Sequence, residues 1–406
     1  MFSIHPLSRF ESGQTAIRRP KQILEFCFDG DHKLLPLSDE CLRYYYPPVF
    51  DAPWVSQGTR SRMNLSTGFD NWIKADESID WHLDGLLQTI QAHEEALLAQ
   101  GKPVNEVRVN ADVVAWRGIL TKIMTAQYDF FADFELNATC FQDTIYLELN
   151  HTHKDVVEQQ SNNRQRQARA KPASDHSITP EMMQYWGYKF EALSTLPRPW
   201  GECSREEIES RDREIVNINT QYCSVVRTGI GNTSLILAGE VDCVLGSKPS
   251  DPTLPIPWVE LKTSATQMHQ NPNSVRKWEN KLLRIWTQSF LIGVPKVVVG
   301  FRSPTGDLES LQELDTQKIP GQVSRGQKSW DGNVCISMTA SFLEWLKESL
   351  LGKDGVWRVK LARNAKQIEL FQIEETGTGR VIEPGFKAHR ERLLAAEIAQ
   401  KLGSST

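Results

Sequence analysis

Cysteine is scarce in this chain and unevenly spaced. Its 406 residues hold seven, at Cys27, Cys41, Cys140, Cys203, Cys223, Cys243 and Cys335, an odd number without a CxxC pair. Neither a disulfide framework nor a zinc knuckle fits that count, and reduced, mostly buried thiols are expected. Long apolar runs are missing too. The longest, such as Val297-Val298-Val299, extend only a few residues, against the ~20 needed to cross a bilayer. The opening stretch from Met1 to Phe10 has neither the basic nor the apolar region of a secretory signal. The glycosylation-type matches at Asn64, Asn137, Asn150 and Asn232 are therefore read as chance. Nor is there a basic excess: 46 Lys+Arg against 51 Asp+Glu leave a net charge of −5. Any contact with a polyanion must come from a local patch rather than a global field. No internal repeat is present.

What is present reads as globular. A hydrophobic fraction of 40% together with 25 glycines reaches the roughly 45–50% typical of folded domains. Apolar alternation predicts strands near 22–28, within 128–149, and near 221–228, 235–244, 257–263, 296–302, 356–362 and 367–373. Helical periods predict helices at 79–99, 179–193, 274–291, 340–350 and 384–402. The first of these is interrupted by Glu94 where an apolar residue would continue the stripe. Thr179-Pro180 supplies an N-cap and an N1 proline. Strands and helices interleave without a long linker, so the expectation is one large mixed α/β domain over 1–406. Two polar stretches, 154–175 (with Arg164, Arg166, Arg169 and Lys171) and 316–333, read as surface loops.

The sharpest local feature is Gly239-Glu240-Val241-Asp242 at the end of the apolar strand Leu235-Ile236-Leu237-Ala238. Alternation puts Glu240 and Asp242 on one face and Val241 and Cys243 on the other. Adjacent buried acids repel each other, and a shared proton or a cation must offset that. After a proline-rich turn, Glu260-Leu261-Lys262 repeats the arrangement on a second apolar strand. If the two strands are neighbours, three carboxylates and an ammonium converge. Hard oxygen donors of that kind suit Mg²⁺ or Mn²⁺ rather than zinc. An acid-x-acid strand followed by an acid-x-Lys strand is the layout of the PD-(D/E)xK nuclease core. The plainer alternative is a solvated strand face with an incidental ion pair.

Three features add to this. Gly187 lies inside the 179–193 helix, where glycine costs ~1 kcal/mol relative to alanine. Close packing at Gly187 and a placed acid at Glu191 are one reading, and an ordinary exposed helix acid the other. Arg117, in Trp116-Arg117-Gly118, either clamps a phosphate bidentately or pairs with a structural carboxylate. On the 274–291 helix, Lys277, Lys281, Arg284 and Gln288 form a stripe that is either a solvated face or a track for a polyanion.

With these residues assembled, the chain resembles the Rai/DXO family of RNA 5′-end decapping nucleases over nearly its whole length. The blocks that carry the resemblance, in order, are Leu42-Arg43-Tyr44-Tyr45 with Pro47-Pro48, Trp116-Arg117-Gly118, Gly187-Tyr188-Lys189-Phe190-Glu191, Gly239 to Asp242, Glu260 to Lys262, Gln288-Ser289-Phe290-Leu291, Gly293-Val294-Pro295 and Gly300-Phe301-Arg302. The resemblance implies two mixed β-sheets flanked by helices around a nuclease-like core, with a deep pocket for an RNA 5′ end. It implies divalent metal, Mg²⁺ or Mn²⁺ and two ions, held by Glu240, Asp242, Glu260 and the Leu261 carbonyl, with Glu191 a further ligand or acting through metal-bound water. It also implies that Arg117, Lys262 and Gln288 hold the scissile phosphate, that Trp116 and Gly118 shape the approach, and that Cys223 lines the substrate. Glu191, Glu240, Asp242, Glu260 and Lys262 are the catalytic set.

The activity so implied is removal of RNA 5′ ends: pyrophosphate from triphosphate RNA, the cap dinucleotide from incompletely capped RNA, and NAD from NAD-capped RNA. A 5′→3′ exoribonuclease activity accompanies it in some relatives. Some relatives also bind and stabilise the nuclear 5′→3′ exoribonuclease, so a chiefly binding role is the competing expectation, and a nuclear location, with the cytoplasm as a further compartment, is expected with either. A DNA-cutting nuclease on the same core is a third, disfavoured by the N-terminal blocks and the Arg117 motif.

Overall fold

Runs of β-branched and aromatic residues, which favour extended backbone, form sixteen strands among the described residues. The computed structural model describes residues 1–11, 13–48, 63–76, 79–156, 178–266 and 271–403. The strands are β1 (Phe2–Ser3), β2 (Ile17–Phe28), β3 (Leu34–Pro36), β4 (Tyr44–Tyr45), β5 (Val113–Trp116), β6 (Phe134–Phe141), β7 (Thr144–Leu149), β8 (Thr195–Leu196), β9 (Gln221–Ile230), β10 (Thr233–Glu240), β11 (Cys243–Val244), β12 (Trp258–Ala265), β13 (Lys296–Arg302), β14 (Leu308–Asp315), β15 (Val356–Leu361) and β16 (Gln367–Glu374). They make two mixed sheets. One has ten strands in the order β1-β16-β15-β6-β7-β5-β10-β9-β2-β3, and the other six, β14-β13-β12-β11-β4-β8.

The longer helices are α1 (Asp84–Ala99), α2 (Arg117–Thr125), α3 (Pro180–Leu193), α4 (Pro272–Ile292), α5 (Gly332–Leu350) and α6 (Pro384–Gly403). α3 begins as expected, with the Thr179 hydroxyl accepting from the Met182 N–H and Pro180 at N1. α4 touches β9 and β10 of one sheet and β13 of the other. A single apolar cluster runs from Phe2 to Ile368 and takes in Trp258 and Val299 from the second sheet. All seven cysteines are free.

Two expectations need correction, and a third falls mostly outside the described residues. The 235–244 strand is broken: β10 stops at Glu240 and β11 starts at Cys243, in the other sheet. The polar stretch 316–333 is not a loop. A 3-10 turn at Thr316–Lys318 and a helix at Ile319–Arg325 occupy it, anchored by buried Ile319 and Val323, and α5 begins at Gly332. Most of the 154–175 stretch, including Arg164, Arg166, Arg169 and Lys171, lies outside the described residues, and residues 151–156 are helical.

Glu94, which interrupts the apolar stripe of α1, is fully buried. One of its oxygens accepts from the Val109 N–H at 2.8 Å and lies 2.9 Å from Arg390. The other lies 2.9 Å from His389 on α6. A buried acid needs such partners, and here it ties α1 to α6.

Candidate active site

Two residues carry the chain from the large sheet to the small one. β10 ends at Glu240, Val241 donates its N–H to the Tyr222 carbonyl at 3.0 Å, and β11 opens at Cys243. The alternation of faces survives the break. Val241 and Cys243 are buried, while Glu240 and Asp242 line one cleft. β11 pairs antiparallel with β12, Cys243 opposite Val259 and Val244 opposite Trp258, and the ladder stops there. Past that point the edge of β12 faces Asp242, whose carboxylate accepts the Leu261 N–H at 2.5 Å. The Leu261 side chain turns into the core.

Glu260, only 1% exposed, has Lys262 Nζ 2.7 Å from one oxygen and Arg117 Nη1 3.4 Å from the other. Lys262 Nζ also lies 3.7 Å from Asp242. Arg117 arrives from the large sheet. β5 runs parallel to β10 with Trp116 opposite Ala238, so the first residue of α2 falls beside the end of β10. Gly239 makes the room: a Cβ there would stand 3.1 to 3.3 Å from Arg117 side-chain atoms. Glu191 comes from α3, which packs on β12.

Four carboxylates thus share two cations. Burial and then repulsion from Asp242 push the Glu240 carboxyl up to about 7, with Arg117 and Lys262 working against the rise. Its side chain is reached by solvent along the cleft. Burial raises Asp242 as well, Lys262 opposing and Glu260 adding to the shift. Glu191 goes well above the usual range through burial and repulsion from Asp242. Glu260 alone goes down. Burial works against its charge, but Lys262 and Arg117 outweigh it. Carboxyls whose charge is disfavoured for want of nearby positive charge become hard oxygen donors when a divalent cation supplies that charge and displaces the proton, and this set fits one. Among the described residues no three His, Cys, Asp or Glu side chains already converge on a single point, so ligation requires them to turn toward a common centre.

The cleft of Glu191, Glu240 and Asp242 opens into a cavity of about 620 Å³, and the two share Tyr188, Ile218 and Gln221 in their walls. Trp116 and Gly118 line the larger cavity. The Trp116 indole N–H is fixed to the His82 carbonyl at 3.0 Å. Cys223 pairs with Glu240 across β9 and β10 but is 1% exposed, so its side chain underlies the acid rather than facing the cleft. Gln288 is half-buried on α4, which packs against α2.

The expected basic stripe divides. Lys277 is exposed and Arg284 pairs with Asp129 at 2.7 Å. Lys281 instead turns inward, donating to the Thr263 carbonyl at 2.5 Å. Burial, then Arg302 and Lys262, push its ammonium down to about 8. Gly187 does not pack closely, since a Cβ there would meet nothing within 4 Å. The clearance at Gly239 was missed in sequence, because only the parallel pairing of β5 and β10 brings Arg117 over that glycine.

A profile of the RAI1 like PD-(D/E)XK nuclease family matches residues 18–387. The chain belongs to that family. The RAI1-like relatives include a protein from Emericella nidulans named decapping nuclease RAI1, 46% identical over 390 residues, covering 96% of this chain and 98% of the relative. A protein of the same name from Aspergillus fumigatus is 46% identical over 392 residues, covering 96% and 98%. Among solved structures, Candida albicans Rai1 in complex with pU5-Mn²⁺ superposes with a TM-score of 0.82 at 26% identity, over 97% of this chain and all of that one. Scheffersomyces stipitis Rai1 in complex with (3′-NADP)⁺ and calcium gives 0.80 at 26% identity, with the same coverage. The two-sheet architecture is that of the RAI1-like nucleases, and membership makes the chain an enzyme of the nuclease type.

Proposed function

We propose that this enzyme hydrolyses the 5′ end of RNA at the first phosphate bearing the RNA chain. Triphosphate ends would release pyrophosphate, incomplete caps the cap dinucleotide, and NAD caps NAD. The observation that carries this reading is the set of four carboxylates with only two cations, at a cleft that opens into a deep cavity. Relatives at 46% identity named decapping nucleases support it.

Glu191, Glu240, Asp242 and Glu260, with the Leu261 carbonyl, would hold divalent metal, Mg²⁺ or Mn²⁺. Such an ion, when bound, lowers the pKa of an attacking water and offsets charge on the phosphoryl oxygens. Arg117 and Lys262 then orient the phosphate, Arg117 offering two N–H groups in a fixed fork. Their present contacts with Glu260 keep both cations extended toward the acids, which is where the scissile phosphate must sit. Gln288 would add a neutral donor. Water forms the new P–O bond as the bond to the leaving 5′ group breaks.

A chiefly binding role beside the nuclear 5′→3′ exoribonuclease would leave the mutually repelling acids without use; a nuclear location goes with either reading. Copurification tests the partner. Glu240→Ala with Asp242→Ala should abolish pyrophosphate release from 5′-triphosphate RNA while circular dichroism stays unchanged. Chelator should inhibit the wild type, and Mg²⁺ or Mn²⁺ should restore it. Undiminished activity of the double variant, or full activity in chelator, would sink the assignment.

A further inference from the structure

The wall of the acid cleft holds a thiol that the chemistry above does not use. Cys41 lines the cleft together with Glu191, Glu240 and Asp242 and is half-buried. Beside it stands Cys27, fully buried on β2 and 14 positions earlier in the chain. The Cys41 N–H donates to the Cys27 sulfur at 3.3 Å. Cys27 Sγ lies 3.1 Å from the Ser38 carbonyl, and Cys41 Sγ 3.3 Å from the Phe28 carbonyl. An N–Cα bond is about 1.46 Å, so the Cys41 Cα stands within about 4.8 Å of the Cys27 sulfur. From there a side-chain rotation carries the two sulfurs to the ~2.04 Å of a disulfide.

The two thiols differ in reactivity. Hydrogen bonding from Cys27 lowers the Cys41 pKa, against burial and the charges of Glu40 and Asp29. The same contact, and then burial, pushes the Cys27 thiol up. An accessible thiol of lowered pKa reacts first, and a neighbouring thiol resolves the product. Cys223 also lies near Cys27. It stands opposite Phe26, one register position away, and so points to the other face of the sheet.

The pair sits at a junction. β3 belongs to the large sheet and β4 to the small one, and Cys41 lies on the connection between them. Leu42 and Arg43 alone separate it from β4, and the Arg43 carbonyl accepts the Val244 N–H of β11 at 3.0 Å. Cys27 stands opposite Tyr222, whose carbonyl holds Val241 at the other crossing. A bond between the two sulfurs would fasten the β3–β4 crossing to β2, beside the β10–β11 crossing.

We propose that Cys41 is a peroxide-sensitive thiol resolved by Cys27, and that the disulfide they form locks the junction between the sheets. The Cys41 thiolate attacks one peroxide oxygen and the O–O bond breaks. Cys41 becomes a sulfenic acid, and the departing hydroxide leaves as water with the thiol proton. The Cys27 sulfur then attacks the Cys41 sulfur, breaking the S–O bond, and hydroxide leaves with the Cys27 proton as a second water. The two thiols lose two electrons and the peroxide gains them. A dithiol reverses the step by exchange. In reducing compartments such bonds, where they occur, are transient and redox-sensing.

Stoichiometric hydrogen peroxide on the purified full chain tests this. Digestion without reductant should yield one peptide linking Cys27 to Cys41, with the intact mass lower by two hydrogens. The melting temperature should rise by about 3 °C, the effect of closing a loop of about 15 residues in a chain of this length. Dithiothreitol should reverse all three changes. Cys41→Ser should form no disulfide and show no peroxide-dependent rise in melting temperature. In Cys27→Ser, Cys41 should stop at a sulfenic acid that dimedone traps. If that buried substitution does not fold, the wild type and Cys41→Ser still decide the matter. An unchanged mass, a disulfide at any other pair, or a Cys41 sulfenic or sulfinic acid beside free Cys27 in the wild type would overturn the proposal. Equal melting temperatures of the oxidised and reduced wild type would do the same.

Discussion

Glu240 sits between an acid it repels and two cations that it must share. Its carboxyl is raised to about 7 from a usual value near 4.5, so the metal-free fold takes up a proton that the unfolded chain releases. Stability from that proton is fully present below the unfolded value and is lost as pH rises through the folded one. Metal-free protein should therefore lose melting temperature between pH 5 and pH 8. Glu240→Gln should match the wild type at pH 5 and melt higher at pH 8, and added Mn²⁺ should raise the wild type at pH 8 more than the variant. Parallel melting curves for the two proteins across that range would show that Glu240 is not raised. Much of this was legible in sequence, since two acids on one apolar strand already demand compensation. The role of Gly239 was not, because its clearance for the Arg117 side chain exists only after folding. Gly239→Ala should push Arg117 off Glu260 and lower kcat at least tenfold while leaving the melting temperature within a few degrees. An unchanged kcat would mean Arg117 tolerates the shift.

Helix α3 is placed by close approaches of its aromatic side chains to glycines, Trp186 over Gly306 and Phe190 over Gly300. A Cβ on Gly300 of β13 would fall 2.7 and 2.9 Å from ring atoms of Phe190, the residue before Glu191. Phe190 and Gly300 thus let α3 lie close on the small sheet with its acid at the cleft. Gly300→Ala should lift the helix, at about 1–3 kcal/mol for overpacking, and reduce activity further than stability. Denaturant midpoints and kcat measured together check this, and equal proportional losses would contradict it. Gly187→Ala should do the reverse, stabilising α3 by about 1 kcal/mol because its Cβ meets open space. Sequence periodicity found α3 and β13 at their observed bounds, both being long, regular and half-buried. It missed β5 and α2, where four strand residues run straight into a helix and neither period has room to establish itself. It also misjudged 316–333. There three apolar side chains, Ile319, Val323 and Trp330, fold a polar stretch, helped by Glu279 accepting the N–H groups of Gln327 and Ser329 at 2.7 and 3.0 Å.

The reactive acids belong to different sheets across the whole molecule. Glu240 closes a strand of the ten-stranded sheet, Glu260 and Lys262 lie in the six-stranded one, and the chain passes from β10 to β11 of that second sheet through just Val241 and Asp242. A slip of 1 Å in a reacting group can cost on the order of 100-fold in rate, far less movement than unfolding needs. Activity should therefore fall with temperature before the structure does, with half-inactivation several degrees below the midpoint seen by circular dichroism. Coincident curves would mean that the sheets part only on global unfolding. The mixed α/β class was readable from the order of the elements and the two sheets only from the family resemblance, but the crossing itself was hidden because the alternation of faces continues across it. The divided site also bears on biosynthesis. A growing chain that has emerged only as far as β10 carries Glu191 and Glu240 but neither Glu260 nor Lys262, and β12 has no parallel neighbour until β13 follows it at residues 296–302. A nascent or truncated nuclease therefore lacks a working centre, and its ability to cut RNA arises only when the second sheet closes on the first.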